Sequence, residues 1–222
     1  MEWLGVDTYF SVYQRPFPHN IKFKLETLDF LISCNDFLIL LGTSEFAIKQ
    51  ENIHFLGKLG TIFLYPRTHM RKNIEKICDK YNEDYEKYKY IENIILWEKS
   101  KYKLEVTEAI LSLRRELQFF LEFFEGVCND ETLVECISTF AKASYVRNLE
   151  RYQNCCCCII YNCMISLLPR RKTFLKKLAF NSERNEDFVL YDMNDFTINL
   201  RHCLRHLSKF YIANGLEWEY KL

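Results

Sequence analysis

Apolar positions after residue 66 recur at the three- and four-residue spacing of amphipathic helices. One helix is predicted from Met70 towards Tyr90, and a longer one extends from Thr107, a plausible N-cap, to Gly126, where a glycine can end a helix. The main apolar stripe of the longer helix comprises Ile110, Leu113, Leu117, Leu121 and Phe124. Further apolar side chains fall outside that stripe, namely Leu111, Phe119, Phe120 and Phe123. Because this helix is apolar on more than one side, we expect it to be central.

Helical spacing continues to the C-terminal end. The predicted spans are residues 133–140 after the capping pair Asn129-Asp130, residues 144–168, residues 172–180, and a last helix capped by Asp195 that ends before Gly215. Pro169 stops the second of these, since proline cannot continue a helix.

Residues 1–66 have the character of short strands instead. Apolar and polar residues alternate strictly in Ile21–Leu25, and the apolar runs Phe37–Leu41 and Thr61–Tyr65 lie next to glycines. Residues 25–33 could alternatively form a short helix. Three other segments also have strand character, namely residues 91–97, 188–191 and the alternating tail from Leu216 to Lys221.

These patterns predict a mainly α (α+β) fold, in which a helical bundle is joined by a small antiparallel β element from the N-terminal region. Residues 1–103 are predicted to form a short β-containing region with an amphipathic helix, packed on the rest. Residues 104–222 are predicted to form the helical domain.

Composition and charge narrow the function classes. Apolar residues make up 49% of the 222-residue chain, with only 6 Gly and 4 Pro, which is typical of a globular protein. Lys plus Arg (30) equals Asp plus Glu (30), so the net charge does not favour a nucleic-acid partner. No segment is apolar for long enough to span a membrane, and the N-terminus lacks the pattern of a signal peptide. We therefore expect a cytoplasmic protein without a membrane span.

The sequence Asn154–Cys163 (NCCCCIIYNC) contains five of the ten cysteines. On a helix, successive side chains diverge by about 100°, so Cys155 to Cys158 cannot close one tetrahedral zinc site, and neighbouring cysteines do not readily form an unstrained disulfide. We expect these thiols to be buried as small apolar side chains. Metal binding, redox function and palmitoylation are the alternatives.

Other motifs give little support to catalysis. His202 and His206 are spaced i, i+4 and could share a zinc ion, but they lie opposite the apolar stripe of their helix, beside arginines and a lysine. We interpret that face as solvated. Gly-rich phosphate loops and the Gly-x-Ser-x-Gly motif are absent from the sequence. The prediction is a non-enzymatic protein without catalytic residues, cofactor or metal.

The central helix contains Leu113–Leu117 (LRREL) and Leu121–Val127 (LEFFEGV), and Asp130, Leu133 and Glu135 follow it. This order of residues resembles the gasdermin C-terminal regulatory domain. It implies that residues 104–222 form a compact helical bundle of that type. Residues 1–103 are too short for the pore-forming domain of the family, so pore formation is not implied.

The resemblance implies a regulatory protein that interferes with pyroptosis. Its partner would be an inflammatory caspase or a gasdermin pore-forming domain in the host-cell cytoplasm. The richness in Ile, Lys, Asn and Tyr fits an AT-rich genome, such as that of a poxvirus, in which such a protein would serve immune evasion by caspase interference.

Two rival functions stay open. One is a viral Bcl-2-like modulator of apoptosis or innate signalling, and the other is a zinc- or thiol-dependent enzyme. Under the leading hypothesis, the candidate partner-binding face comprises Leu113, Leu117, Phe120, Phe123 and Phe124. The alternative is that these side chains are simply buried on both sides of the helix.

Overall fold

The structure, a computed structural model, describes residues 7–20, 24–42, 61–180 and 186–218. Its helices are α1 (Tyr9–Tyr13), α2 (Thr27–Leu40), α3 (Leu64–Glu83), α4 (Ile91–Lys101), α5 (Glu105–Cys128), α6 (Ser138–Asn148), α7 (Cys155–Ser166), α8 (Arg171–Leu178) and α9 (Glu186–Ala213). A 3₁₀ turn, Glu150–Tyr152, separates α6 from α7. The prediction of a mainly helical fold is confirmed.

Helix α5 is the centre of the structure, as its apolar pattern predicted. It packs against α3, α4, α6 and α9, while α2 lies on α3 and α1 lies between α2 and α9. Side chains of the main stripe and those outside it are equally buried. A helix that is apolar on more than one side loses the most water-exposed apolar area when other helices cover it on several sides.

Aromatic rings fill the space between α2, α5 and α9. The ring of Phe37 is stacked on that of Phe196, with centroids 5.6 Å apart, and meets Phe120 edge to face at 5.2 Å. Phe10 and Phe124 extend this cluster. Such contacts add to the stability gained from burial alone.

Both ends of α5 differ from the prediction. The helix begins at Glu105, and its first turn is capped by Glu98, whose carboxylate accepts hydrogen bonds from the backbone N–H groups of Val106 and Thr107. Thr107 is therefore inside the helix. The helix also continues past Gly126 to Cys128. The absence of a side chain at Gly126 leaves room for Phe140 to pack there.

The predicted β element is not seen within the described residues. Residues 37–40 form the last turn of α2, residues 61–65 lead into α3, and residues 91–97 lie in α4. Residues 21–23 lie outside the described part. The alternative helix for residues 25–33 was closer to the structure, since α2 begins at Thr27. Short apolar runs do not distinguish a buried helix from a strand, which explains these errors.

An antiparallel bridge between Glu26 and Tyr90 joins the chain before α2 to the chain before α4. The backbone N–H of Thr27 donates to Lys89 O (2.9 Å), and that of Ile91 donates to Leu25 O (3.0 Å). These bonds fix the starts of α2 and α4 side by side.

The C-terminal half also departs from the prediction in places. The helix predicted over residues 144–168 is interrupted after Asn148, because Asn154 caps a new helix by accepting a hydrogen bond from Cys157 N at 3.0 Å. Residues 133–137 are not helical. Residues 188–191 and Asp195 lie inside α9, and residues 216–218 are not in a strand.

Two predictions for this half are confirmed. Helix α8 is present at Arg171–Leu178, and α9 ends before Gly215, whose φ of +67° suits a residue without a side chain. The division at residue 103 remains a prediction, while α3 and α4 pack against α5. Among the helices of the described residues, none is long and apolar enough to cross a membrane.

Candidate functional site

Three consecutive charged side chains are buried in the middle of α5. Arg114, Arg115 and Glu116 are all less than a tenth exposed, in a helix whose other neighbours are mostly apolar. Burying a charge is costly unless it is paired, so each of these groups needs a structural or functional partner.

The two arginines hold the segment after α9. Arg114 donates to Ser208 Oγ (2.6 Å) and to both carboxylate oxygens of Glu217 (2.6 and 2.7 Å). Arg115 donates to the carbonyl of Trp218, and its guanidinium lies 3.5 Å from the centroid of the Tyr152 ring. A bidentate arginine–carboxylate contact fixes geometry as well as charge. The arginines thus fasten residues 217 and 218 to the central helix.

Glu116 points to a different group of side chains. Its Oε1 lies 3.0 Å from His69 Nδ1 on α3 and accepts a hydrogen bond from the hydroxyl of Tyr161 on α7 at 3.2 Å. Its Oε2 is buried and makes no hydrogen bond to the described residues. Helices α3, α5 and α7 therefore meet at one buried carboxylate.

The electrostatics of this pair follow from burial and charge. The hydrogen bond to Glu116 raises the pKa of His69, despite the opposing effects of Lys72 and Lys76. Burial raises the pKa of Glu116, and the hydrogen bond from His69 acts against that rise. Only the histidine is open to water, with 45% of its side chain exposed against 3% for the glutamate.

Tyr65 connects this polar pair to an apolar surface. Its ring is stacked on His69 with centroids 6.4 Å apart, and it meets the ring of Tyr161 edge to face at 5.7 Å. Its hydroxyl is 2.8 Å from the sulfur of Cys157. Burial and the contact with Cys157 raise the pKa of the Tyr65 hydroxyl, so it remains a neutral hydrogen-bonding group.

An apolar groove begins at Tyr65. It runs between the start of α3 and the outer part of α7, with a cavity volume of about 670 Å³. The lining side chains are Thr61, Ile62, Leu64, Tyr65, Thr68, Ile160, Cys163, Met164 and Leu167. This volume lies in the range of small-molecule pockets. A groove of this kind, ending on a polar group, suits an amphiphile that has an apolar chain and a polar end.

A comparison with protein families identifies the family of the chain. Residues 26–180 match the glycolipid transfer protein (GLTP) family. The chain belongs to this family.

Solved GLTP-fold structures are similar along almost the whole chain. The GLTP-fold domain of FAPP2, which selects simple glycosphingolipids, has a TM-score of 0.77 at 21% identity, covering 97% of this chain and all of that one. The fungal GLTP HET-C2 has a TM-score of 0.78 at 19% identity, covering 95% and 100%. Human ceramide-1-phosphate transfer protein, solved with 12:0 ceramide-1-phosphate, has a TM-score of 0.69 at 16% identity, covering 94% of each chain. These similarities establish the fold.

GLTP membership overturns the gasdermin resemblance. The predictions that accompanied it are wrong as well, namely interference with pyroptosis, caspase or pore-forming partners, a poxvirus origin and the Bcl-2-like alternative. The match that suggested gasdermin covered one amphipathic helix, and any helix of that type reproduces much of it. The run Leu113–Leu117 contains Arg114, Arg115 and Glu116, so it belongs to the buried polar cluster of a GLTP fold.

The predicted partner-binding face lies in the core. Its five residues are at most 2% exposed: Leu113, Leu117, Phe120, Phe123 and Phe124. Protein binding through these residues stays an untested prediction, and their burial agrees with the alternative that they pack on both sides of α5.

The cysteines of α7 are less buried than expected. Cys155, Cys156 and Cys163 are exposed, while Cys157 and Cys158 are half-buried, and all ten cysteines are free thiols. The expectation of a buried run was wrong because the buried side of α7 consists of Tyr161, Met164 and Ile165, so the cysteines lie at its edge or on its outer side.

The two histidines of α9 have separate surroundings. His206 is half-buried, and its Nε2 lies 2.5 Å from Glu92 Oε1, which disagrees with the predicted solvated face. His202 is exposed and lies near the ring of His19, at 5.6 Å between centroids. In the part of the chain that the structure describes, no three His, Cys, Asp or Glu side chains are placed to hold a metal ion.

Sequence reasoning missed His69, Tyr65, Glu116 and Tyr161. One signal was available: three consecutive charges span about 200° of a helix that is apolar on more than one side, so at least one of them is expected at a buried polar site. The partners of Glu116 on α3 and α7 are distant in sequence, and no local pattern indicates them.

Proposed function

We propose that this protein binds a sphingolipid and carries it between membranes. The headgroup would lie at His69 and Glu116, and an apolar chain would enter the groove between α3 and α7. The observation that carries the proposal is the contact of Tyr65 with both regions, since it lines the groove and is stacked on His69. GLTP membership and the lipids named for the similar structures support it.

The physical basis of the proposal is that the apolar chains and the polar headgroup of a sphingolipid require different surroundings. Apolar chains gain about 0.8 kcal/mol for each CH₂ group that leaves water. A headgroup cannot leave water without new hydrogen bonds. The groove offers apolar contact from Ile160, Met164 and Leu167. Tyr65 connects it to the hydrogen-bonding groups of the cluster, because its ring contacts those of His69 and Tyr161.

The transfer cycle would consist of lipid binding and lipid release, without a covalent step. The lipid leaves as it entered, so the proposed function is not enzymatic. The outer rim of the groove contains Ile160 and Leu167, which are 39% and 65% exposed. These side chains would touch the membrane while the lipid enters.

A vesicle assay tests this function. Donor phosphatidylcholine vesicles contain a fluorescent sphingolipid and a quencher that cannot transfer, and acceptor vesicles contain neither. Galactosylceramide and ceramide-1-phosphate carry the same fluorophore in parallel experiments. We expect fluorescence recovery at a rate proportional to protein concentration for at least one lipid. Recovery no faster than spontaneous transfer for both lipids would refute the proposed function.

A further inference from the structure

We propose that Cys155, Cys156 and Cys163 are sites of S-acylation, and that the fatty acyl chains attached there hold this protein at a lipid bilayer. The modification goes beyond lipid transfer and does not require it, because it concerns a reaction of thiols on the outer side of α7. Three features of α7 support it, namely the exposure of these thiols, their position on the helix, and the distribution of charge around them.

The three thiols are accessible and are poorly placed to pair with one another. All three are exposed, whereas Cys157 is half-buried, with its sulfur 2.8 Å from the hydroxyl of Tyr65. Cys163 lies about 10–12 Å further along the helix axis than the other two, which is too far for a disulfide. Cys155 and Cys156 are neighbours whose side chains diverge by about 100°. Each thiol is therefore free to react with a group from outside the protein.

The exposed thiols share one side of α7 with apolar side chains. At 3.6 residues per turn, the three cysteines fall within an arc of about 100° around the helix. Ile159 and Leu167 lie in or beside the same arc, and both are more than half exposed. An acyl chain attached to any of the three sulfurs would thus extend from an apolar surface that can enter a bilayer together with it.

The charges around this side of α7 complement the surface of a bilayer that contains anionic lipids. Residues 152–169 contain no Asp, Glu, Lys or Arg, and the first charged residues on either side are Arg151 and Arg170, both exposed. Glu150, the nearest acidic residue before α7 in the sequence, lies 3.6 Å from Lys142. Cations of this kind remain at the lipid headgroups while neighbouring apolar side chains enter the acyl boundary.

The acylation step balances without an oxidant or a reductant. The acyl donor is a long-chain acyl-CoA, and the cysteine thiolate attacks the carbonyl carbon of its thioester. The new bond joins the cysteine sulfur to the acyl group, the bond between that carbonyl carbon and the sulfur of CoA breaks, and CoA leaves with the proton that the cysteine lost. One attached chain gives only reversible membrane binding, whereas two chains, or one chain beside a basic patch, give stable anchoring. Several adjacent thiols make stable anchoring possible.

The rate of acylation at each cysteine tests the proposal. The purified full-length protein is incubated with palmitoyl-CoA and with vesicles of phosphatidylcholine and phosphatidylserine. Tandem mass spectrometry then measures the acylated peptides before and after hydroxylamine, which cleaves thioesters but not amides. Cys136 is the internal control, because it is also exposed but lies before α6, next to Glu135.

We expect the three α7 cysteines to be acylated at least about tenfold faster than Cys136 when vesicles are present, since burial of one isoleucine side chain in the bilayer is sufficient for a ratio of this size. Equal rates at Cys136 and on α7, or adducts that resist hydroxylamine, would overturn the proposal. A dimer of the protein that protects the α7 thiols from palmitoyl-CoA would also overturn it, because the outer side of α7 would then bind a second copy.

Flotation of the acylated protein with vesicles tests the anchoring. After treatment with palmitoyl-CoA, wild type should stay with the vesicles at high salt, which screens the attraction between charges. The triple variant Cys155→Ser, Cys156→Ser and Cys163→Ser should lose about tenfold or more of the bound fraction, since only apolar and cationic contacts remain. Cys136→Ser is the matched control and should float as wild type does.

A triple variant that is folded by circular dichroism and floats as completely as acylated wild type would refute anchoring through these thiols. Neither measurement requires sphingolipid transfer. The failure of S-acylation would therefore leave the proposed function intact, and the failure of transfer would leave S-acylation intact.

Discussion

Nδ1 of His69 lies 3.0 Å from Oε1 of Glu116, so a half-exposed side chain of α3 holds a buried carboxylate of α5. This contact raises the pKa of His69 above its usual value of 6.5. The folded protein then binds more protons than the unfolded chain in the pH range just above 6.5, and stability falls as pH rises through that range. Burial raises the pKa of Glu116 and acts in the same direction from pH 4.5 upward.

Urea unfolding at pH values from about 5.5 to about 8.5 measures this dependence. His69→Asn should be less stable than wild type at low pH and should lose part of the pH dependence. His202→Asn is the control, since His202 is exposed on α9. A wild-type slope that His69→Asn leaves unchanged would contradict the prediction.

Glu98 stabilises the first turn of α5. Its carboxylate accepts hydrogen bonds from Val106 N (3.1 Å), Thr107 N (2.7 Å) and the Thr107 hydroxyl (2.8 Å), and Glu98 is only 2% exposed. Glu98→Ala should lower the free energy of unfolding by about 2–4 kcal/mol, because it leaves buried donors unpaired. In the same unfolding experiment, Glu105→Ala should change stability by less than about 1 kcal/mol, since its ion pair with Lys76 is exposed. Similar effects of the two substitutions would disprove the cap.

Gly126 allows α5 and α6 to approach closely. A Cβ at this position would lie 2.9 Å from the Cβ and ring atoms of Phe140. Gly126→Ala should therefore cost about 1–3 kcal/mol of stability, even though alanine favours helices by about 1 kcal/mol over glycine. Thermal unfolding measures the change. In a Phe140→Ala background the same substitution should be neutral or stabilising, and an equal loss in both backgrounds would contradict the steric explanation.

The sequence was informative where the spacing of apolar residues kept one clear period over many residues. The central position of α5 followed from Ile110, Leu117 and Phe119, which make the helix apolar on more than one side. The segment Phe37–Leu41 was misassigned because five apolar residues fit the last turn of a buried helix as well as a strand. Local periodicity therefore predicted the helical class of the fold and much of α3, but it assigned strands to parts of α2 and α4.

The candidate site was less predictable, for a physical reason. His69, Glu116 and Tyr161 lie on three helices, and their contact depends on tertiary packing. The charged run around Arg114 could have signalled a buried polar site. The sequence supplied no means of finding its partners.

Thiol reactivity should separate the exposed cysteines from the buried ones. Cys155, Cys156 and Cys163 are exposed on α7, whereas burial raises the pKa of both Cys34 and Cys203. Because the thiolate is the reactive form, N-ethylmaleimide should label the three α7 cysteines at least about tenfold faster than the two buried ones. Mass spectrometry of peptides after timed labelling measures this ratio. Unfolding in urea is the control and should equalise the rates. Equal rates in the native protein would contradict the described burial.

Transfer should depend on the outer rim of the groove. Ile160 lines the groove and is 39% exposed, so a charge there should weaken contact with lipid chains without removing much of the core. Ile160→Asp should reduce vesicle transfer by about tenfold or more, since a carboxylate resists transfer into an apolar environment. Ile212→Asp is the matched control, because Ile212 is 66% exposed on α9 and lies outside the groove lining. The unfolding temperatures of both variants should stay close to that of wild type. A loss of lipid transfer confined to Ile160→Asp then results from the change in the groove. If the two variants transfer lipid equally well, the lipid does not enter between α3 and α7.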